Sequence, residues 1–268
     1  MPPKKEEEEE EEAAAATTPY REIRASYTDT HIVVYQAYKA AIADAAVSTQ
    51  KLNASPDFRP GRMTWIKPSW GWMMYRSGYA SKDPGQERVL AITMPREHFV
   101  GLLERAVLTS HGGESAPPPR RKEDGNRTGT GTGAGAGTGK DDGLNRVKSV
   151  DVKVQWDPER SAKLETLPHR SIQIGIPGAL SETWARRWIA KIEDVTDKAK
   201  KLKDAIDERP DVTIQELTEM GLIPEERPFP VPLEVQERLQ MGIPKEVSKR
   251  SKDGAKGAQR HKTTSTYE

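Results

Sequence analysis

Apolar positions along the chain follow two periods, one typical of helices and one typical of strands. Apolar residues at three- and four-residue steps predict a helix over residues 32–50 and a long helix over residues 177–206. Valines alternate with polar residues over residues 147–156, which predicts a half-exposed strand. Shorter runs bounded by turn residues predict the other elements, which are strands over 20–27, 62–67, 88–94 and 170–176 and helices over 69–77, 95–107 and 160–167. The pattern predicts the α+β class: a single domain with a small mixed or antiparallel sheet and flanking helices.

Composition confines this domain to the middle of the chain. All six tryptophans and six of the seven tyrosines lie between residues 20 and 188. Residues 1–16 are acidic and alanine-rich, which predicts a disordered tail, and residues 110–145 are rich in proline, glycine and threonine. We therefore predict a single domain over residues 17–208, with a flexible insertion at 110–145. Residues 209–268 are predicted to form a mostly disordered tail with short helices and a basic end.

Missing residue types and segments exclude several classes of protein. The chain has no cysteine, which excludes disulfides, thiolate metal sites and cysteine nucleophiles. The five histidines form no helical metal-binding pair, so we expect no metal. No apolar run reaches the roughly 20 residues that span a bilayer, and the acidic start lacks the apolar core of a secretory signal. We therefore expect a cytoplasmic or nuclear protein without a membrane partner.

The segment 62–77 carries the strongest chemical signal. Three tryptophans fall within eight residues and are interleaved with Arg62, Lys67 and Arg76. Aromatic rings stack on bases and cations pair with phosphate, so the segment predicts a planar anionic ligand such as a nucleotide. The alternative is an aromatic core wall whose cations reach out to water. The candidate ligand-binding residues of the whole chain are Arg24, Tyr27, Trp65, Lys67, Ser69, Trp72, Arg76 and Arg170.

Three polar residues stand inside predicted strands, where each requires a partner. Arg24 either binds a phosphate or ribose of a ligand or pairs with a buried carboxylate such as Asp157. Gln155 and Gln173 are satisfied either by a ligand or by a neighbouring side chain. Asp157 itself lies at the end of a predicted strand, where it either joins a ligand site or caps the helix predicted at 160–167.

Five sequence blocks occur in an order that resembles a family known as a domain of unknown function, family 4291. The blocks are IRA-x-Y at 23–27, VYQAY at 34–38, RMTWIKPSW-x-WMM at 62–74, QWDPER at 155–160 and RSIQ at 170–173. The resemblance covers about residues 20–206 and is specific, because the blocks are long and collinear. The family has no assigned activity, so the resemblance implies domain limits more than a function.

The order of elements also resembles the ADP-ribosyltransferase superfamily. That resemblance implies that Arg24 holds the ribose and phosphate of NAD and that Trp65 or a neighbouring ring packs on the nicotinamide. It implies that Gln173 or Gln155 bonds the reacting ribose, which makes Arg24, Gln173 and Gln155 the candidate catalytic residues. This chain departs from the superfamily because its late strand, predicted at 170–176, has no clear catalytic glutamate, and a glutamine cannot act as a base.

Two functions from different classes therefore remain open at the level of sequence. The first is an enzyme that uses NAD as cofactor in an ADP-ribosyl transfer to RNA or to a nucleotide. The second is a non-enzymatic module that binds a nucleotide or single-stranded nucleic acid on a platform of Trp65, Trp70 and Trp72. Loss of turnover on substitution of Arg24 would favour the enzyme, and a steep salt dependence without turnover would favour the module.

Overall fold

The structure is a computed structural model that describes residues 18–109 and 151–242. The predicted acidic tail at 1–16, the predicted insertion at 110–145 and the basic end of the chain lie outside these residues. The strands are β1 Arg24–Ala25, β2 His31–Tyr38, β3 Thr64–Ile66, β4 Arg88–Pro95, β5 Ala106–Leu108, β6 Val152–Arg160, β7 Thr166–Ile176, β8 Lys191–Asp194 and β9 Arg227–Pro228. The helices are α1 Ala40–Thr49, α2 Trp70–Ser77, α3 Arg96–Glu104, α4 Ser181–Thr183, α5 Thr196–Glu208, α6 Ile214–Glu219 and α7 Leu233–Arg238, and a π-helical turn spans Trp184–Trp188. This mixture of helices and small sheets confirms the predicted α+β class.

The described strands form three small sheets. The largest has the order β3-β7-β6-β5, a second has the order β2-β4-β8, and β1 pairs with β9. All neighbours are antiparallel except β5 and β6, which run parallel. Tyr35 on β2 and Lys67, just after β3, exchange backbone hydrogen bonds of 2.7 and 3.2 Å, which join the two larger sheets. The Lys67 backbone therefore sits at the seam between these sheets.

The prediction of a single helix over 32–50 is wrong for its first part. Residues 31–38 form β2 and pair along their whole length with β4, and helix α1 begins only at Ala40. The tyrosines gave a helical spacing, but the β-branched run Ile32, Val33 and Val34 favours a strand. Burial alternates at Ile32 and Val34, as expected for a strand with one face in the core.

Two other helix predictions are wrong because strand pairing overrides the local pattern. Residues 177–206 do not form one helix, since β8 interrupts them and pairs with β4. Residues 160–167 are not helical either, because β6 continues to Arg160 and turns into β7 through Leu164, which has a φ of 64°. Asp157 is therefore a strand residue opposite Ser171 and not a helix cap.

The packed chain continues past residue 208, the predicted end of the domain. The described segment 209–242 contributes buried side chains to both apolar clusters of the molecule. Those in the main cluster are Phe229, Val231, Val235 and Leu239, and those in the second cluster are Val212, Leu217 and Leu222. The indole nitrogen of Trp156 donates to the carbonyl of Leu239 at 2.9 Å, which ties this segment to β6. The segment contains no tryptophan or tyrosine, so the distribution of these residues along the chain did not assign it to the domain.

Candidate functional site

Lys67, Pro68 and Ser69 connect β3 to helix α2. The Ser69 hydroxyl caps the helix by accepting a hydrogen bond from the Trp72 N–H at 3.0 Å, which confirms the predicted helix start. The same hydroxyl donates to Glu159 Oε1 at 2.9 Å. This three-residue connection therefore brings together the end of β3, the start of helix α2 and the buried carboxyl group of Glu159.

Helix α2 packs very closely on the end of β6. A Cβ added at Gly71 would lie 2.3 Å from the carbonyl oxygen of Arg160, so only glycine fits between Trp70 and Trp72. The guanidinium of Arg160 lies 3.9 Å from the centroid of the Tyr75 ring, on the same helix. This close contact fixes the start of the helix relative to the sheet.

A cleft of about 380 Å³ opens at the seam between the two larger sheets. Its walls include Trp65 and Lys67 from the β3 segment, Arg76 from α2 and Gln36 from β2. The other lining residues are Ala37, Tyr38, Met63, Thr64, Met73, Asp83, Gly85 and Gln86. The structure thus brings three of the predicted ligand-binding residues, Trp65, Lys67 and Arg76, to one cleft.

Lys67 is the most unusual group in this cleft. Its residue is only 6 % exposed, yet its ammonium makes no hydrogen bond or ion pair with any other residue that the structure describes. Burial, with a smaller contribution from the positive charge of Arg76, lowers the pKa of Lys67 to about 8, and the negative charge of Asp157 acts in the opposite direction. Buried cations are normally paired, so this amine is a candidate for binding an anion.

Trp65 forms a wall of the same cleft, where it is half-buried. It stands opposite Gly175 on β7, and a Cβ added there would lie 3.0 Å from the end of the indole ring. Gln36 supports this wall, because its amide nitrogen donates to the Trp65 carbonyl at 3.0 Å and to the Thr64 hydroxyl at 2.6 Å. The ring is therefore positioned by backbone and sheet beside the cleft that Trp65 lines.

Gln155 and Gln173 face each other on β6 and β7. The amide of Gln173 donates to Gln155 Oε1 at 2.8 Å, so each glutamine has the other as a partner. This contact corresponds to the alternative in which a neighbouring side chain satisfies them. Whether either also bonds a ligand stays a prediction.

Two carboxyl groups meet at the start of helix α2. Glu226 Oε1 accepts a hydrogen bond from the Trp70 N–H at 2.6 Å. Glu159, whose residue is 7 % exposed, accepts bonds from Ser69 and from the Arg160 N–H, the latter at 2.8 Å. Burial raises the pKa of both groups, and the charge of Glu159 further raises the pKa of Glu226. Each group is therefore harder to ionise than an exposed carboxyl group, and a charge on one disfavours a charge on the other.

Arg24 lies beside this carboxyl pair and not in the cleft lining. It forms an ion pair with Glu22 at 3.0 Å and donates to the backbone carbonyl of Glu226 at 3.0 Å. Its positive charge lowers the pKa of Glu159 and Glu226 and so opposes the effect of burial. The carboxylate partner of Arg24 is thus Glu22, where the sequence suggested Asp157.

The other predicted ligand-binding residues have structural neighbours outside the cleft lining. The Tyr27 hydroxyl donates to the Pro228 carbonyl at 2.8 Å, and Arg170 donates to the Trp156 carbonyl at 2.8 Å. Trp72 is buried and stacks on Tyr75, with centroids 5.1 Å apart.

Sequence reasoning missed Gln36, Glu159 and Glu226 as members of the site. Glu159 stands two residues after Asp157, at a register shift between β6 and β7, so simple strand periodicity does not give its position. Glu226 lies beyond the predicted end of the domain, so no local signal linked it to helix α2. Among the described residues, no group of histidine and acidic side chains is placed to hold a metal ion. None of the described helices is long and apolar enough to cross a membrane.

Comparison with known proteins identifies a family but no activity. No protein among those with curated functions matches the sequence. One family pattern, described as a domain of unknown function, matches residues 22–229, which is most of the chain and extends past the predicted limit near 206. The likeness to ADP-ribosyltransferases receives no support from these comparisons and stays a prediction. The length and position of the match show that the chain belongs to the DUF4291 family.

Proposed function

We propose that the cleft at Lys67 binds a phosphate-bearing nucleotide and that the protein is a transferase that uses NAD in an ADP-ribosyl transfer. The acceptor in this proposal is RNA or a nucleotide. The observation that carries the proposal is the buried Lys67 ammonium, which has no described partner and shares a cleft with Arg76 and Trp65.

The two cations favour an anionic ligand. A buried ammonium without a partner is costly, and a phosphate oxygen in the cleft would supply the missing charge and hydrogen bonds. The exposed guanidinium of Arg76 lines the same cleft and adds a second donor for phosphate.

The aromatic wall favours a nucleotide over a simple anion. The half-buried ring of Trp65 offers a face for a base or a nicotinamide, and such stacking contributes about 1–3 kcal/mol per base. A volume of about 380 Å³ lies within the usual range for small-molecule sites.

The carboxyl pair supports transfer chemistry. In ADP-ribosyl transfer the bond between ribose and nicotinamide breaks, nicotinamide leaves with the bonding electrons, and the acceptor oxygen bonds the ribose and loses its proton. Glu159 and Glu226 offer a carboxylate that can take this proton, a role that neither Gln155 nor Gln173 can fill. Ser69, which bonds Glu159, is separated from Lys67 only by Pro68.

Titration calorimetry of the full chain with NAD, ADP-ribose and AMP tests the binding step. We expect Lys67→Met and Arg76→Ala to weaken binding at least tenfold, whereas Arg187→Ala, an exposed arginine outside the cleft lining, leaves it unchanged. Lys67→Met removes a buried unpaired charge, so the melting temperature of this variant should not fall. A loss of binding in this variant would therefore not be due to unfolding. Equal affinity in all variants would refute the cleft as the nucleotide site.

The transfer step has a separate readout. Nicotinamide appearing in the NMR spectrum of NAD, protein and RNA or nucleotide, at a rate that Glu159→Gln lowers, supports the transferase. Nucleotide binding with no nicotinamide release refutes the transferase and leaves a nucleotide-binding module.

A further inference from the structure

A second cleft of about 540 Å³ adjoins the one at Lys67. The two share the residues Tyr38, Met63 and Thr64, so they meet at a common wall at the start of β3. A ligand longer than a mononucleotide could therefore occupy both.

The second cleft is lined by basic side chains that are open to solvent. Arg59 and Arg62 are exposed, and neither forms an ion pair or a hydrogen bond with another described residue. The third cation, Lys39, is paired with Asp57 at 2.6 Å. Two guanidinium groups are thus available to a ligand, and arginine is well suited to phosphate.

An aromatic and a proline side chain accompany these arginines. Phe58 is half-buried and Pro56 is exposed, and both line the second cleft. The combination repeats that of the first cleft, where Trp65 stands beside Lys67 and Arg76. Rings alternating with cations along a groove are the usual arrangement for a single strand of nucleic acid.

We propose that the substrate of this protein is a single-stranded nucleic acid, whose neighbouring nucleotide occupies the cleft at Arg59 and Arg62. This inference rests on the proposed function, because NAD occupies the cleft at Lys67 and the strand is the acceptor that lies beside it. A duplex is not expected to bind as well, since its bases are stacked on each other and unavailable to Phe58 and Trp65.

The test compares the affinity of the full chain for AMP with its affinity for short 5′-phosphorylated oligonucleotides. The probes are six-nucleotide single strands of RNA and of DNA, and the corresponding RNA duplex. We expect the single strand to bind at least tenfold more tightly than AMP. The double substitution Arg59→Gln with Arg62→Gln should remove most of this gain and leave AMP binding unchanged, with Arg186→Gln with Arg187→Gln as the matched control.

Salt dependence gives an independent readout. Loss of two phosphate contacts to a single strand lowers the slope of log affinity against log salt by about 1.4. An unchanged slope in the Arg59 and Arg62 double variant, or equal affinity for AMP and the single strand, overturns the inference. Competition by a polyglutamate peptide as strong as that by the oligonucleotide overturns it too, because the surface would then bind any polyanion. A preference for RNA over DNA would identify the 2′-hydroxyl as part of the recognition.

The two proposals fail in distinguishable ways. If AMP and NAD bind in a Lys67-dependent manner but the oligonucleotide gains nothing, only the inference about the second cleft is refuted. If neither AMP nor NAD binds, the proposed function is refuted, and the second cleft loses its basis as well.

Discussion

The indole ring of Trp65 lies against Gly175 on the neighbouring strand, and no larger residue fits there without moving the ring. A Cβ at position 175 would stand 3.0 Å from Trp65 Cη2 and 3.1 Å from the sulfur of Met63. Gly175→Ala should therefore displace the ring and weaken nucleotide binding about tenfold, measured by titration calorimetry. In a Trp65→Phe background the smaller ring leaves room, so the same substitution should have little further effect. Equal losses in both backgrounds would contradict this account.

The proton on Lys67 should set the pH dependence of ligand binding. The pKa of Lys67 is lowered from 10.5 to about 8, and only the ammonium form attracts an anion. Affinity should be constant below pH 8 and fall about tenfold per pH unit above it. Lys67→Arg, which stays charged, should bind without this decline. A flat affinity between pH 7 and 10 in the unmodified protein would show that Lys67 does not contact the anion.

The lowered pKa also affects stability. Because the folded state releases the proton more easily than the unfolded state, the protein gains stability as pH rises from about 8 to 10.5. This gain should be absent in Lys67→Met, as measured by urea unfolding at several pH values.

Gly71 and Gly101 offer a matched pair of helix glycines. A Cβ at Gly71 meets the Arg160 carbonyl oxygen at 2.3 Å, whereas nothing lies within 4 Å of a Cβ at Gly101. Gly71→Ala should lower the free energy of unfolding by about 1–3 kcal/mol, because the helix is pushed away from β6. Gly101→Ala should raise it by roughly 0.5–1 kcal/mol, because alanine favours helix. Opposite signs in chemical denaturation are the expected result, and a gain at both positions would contradict the close packing.

The carboxyl pair should destabilise the fold at neutral pH. The pKa of Glu226 is raised well above its ordinary value of 4.5, so its contribution is most favourable below pH 4.5 and is lost as pH rises through the folded pKa. Glu226→Gln keeps an oxygen for the Trp70 N–H and removes the charge, so it should stabilise the protein at pH 7. The difference from the unmodified protein should vanish below pH 4.5.

Glu216 provides a control of opposite sign. Hydrogen bonds from Thr213 and Arg209 lower its pKa to about 2, so its stabilising effect is present above pH 4.5 and is lost as pH falls toward 2. Glu216→Gln should therefore destabilise the protein at pH 7. The same sign for both substitutions would refute the assignment of the carboxyl pair.

The segment 209–242 should be required for folding. A chain ending at residue 208 lacks Phe229, Val235 and Leu239, and thus exposes the apolar surface that they cover. We expect that fragment to lack a cooperative thermal transition, while a chain ending at residue 242 retains one. Leu239→Ala within the full chain should cost about 2–5 kcal/mol of unfolding free energy. A stable, monomeric chain ending at residue 208 would contradict this prediction.

Local sequence signals predicted the elements that are decided locally. The proline before Ser69 and the apolar run at 88–94 were sufficient to place helix α2 and strand β4. At residues 32–38 the tyrosine spacing indicated a helix, but pairing with β4 along the whole segment stabilises a strand instead. The apolar spacing at residues 191–194 is also compatible with a helix, but this segment forms β8 because it pairs with β4 in the same sheet.

The site was only partly predictable for a related reason. Trp65, Lys67 and Arg76 lie close together in sequence, so their shared chemistry could be recognised. Glu226 reaches helix α2 through tertiary structure alone, from 156 residues away. The absence of a hydrogen bond or ion pair between the Lys67 amine and any described residue is likewise a property of packing, which sequence periodicity does not indicate.

Strand β1 pairs only with β9 among the described strands, and the bond from Arg24 to the Glu226 carbonyl spans 202 residues. On the ribosome, at 5–20 residues per second, roughly 10 to 40 seconds would separate the synthesis of these partners. Until then the nascent chain presents Ile23 and Ala25 without the segment that later covers them. The pairing of β1 and the hydrogen bond from Arg24 therefore form only late in translation, after residues 226–228 have been synthesised.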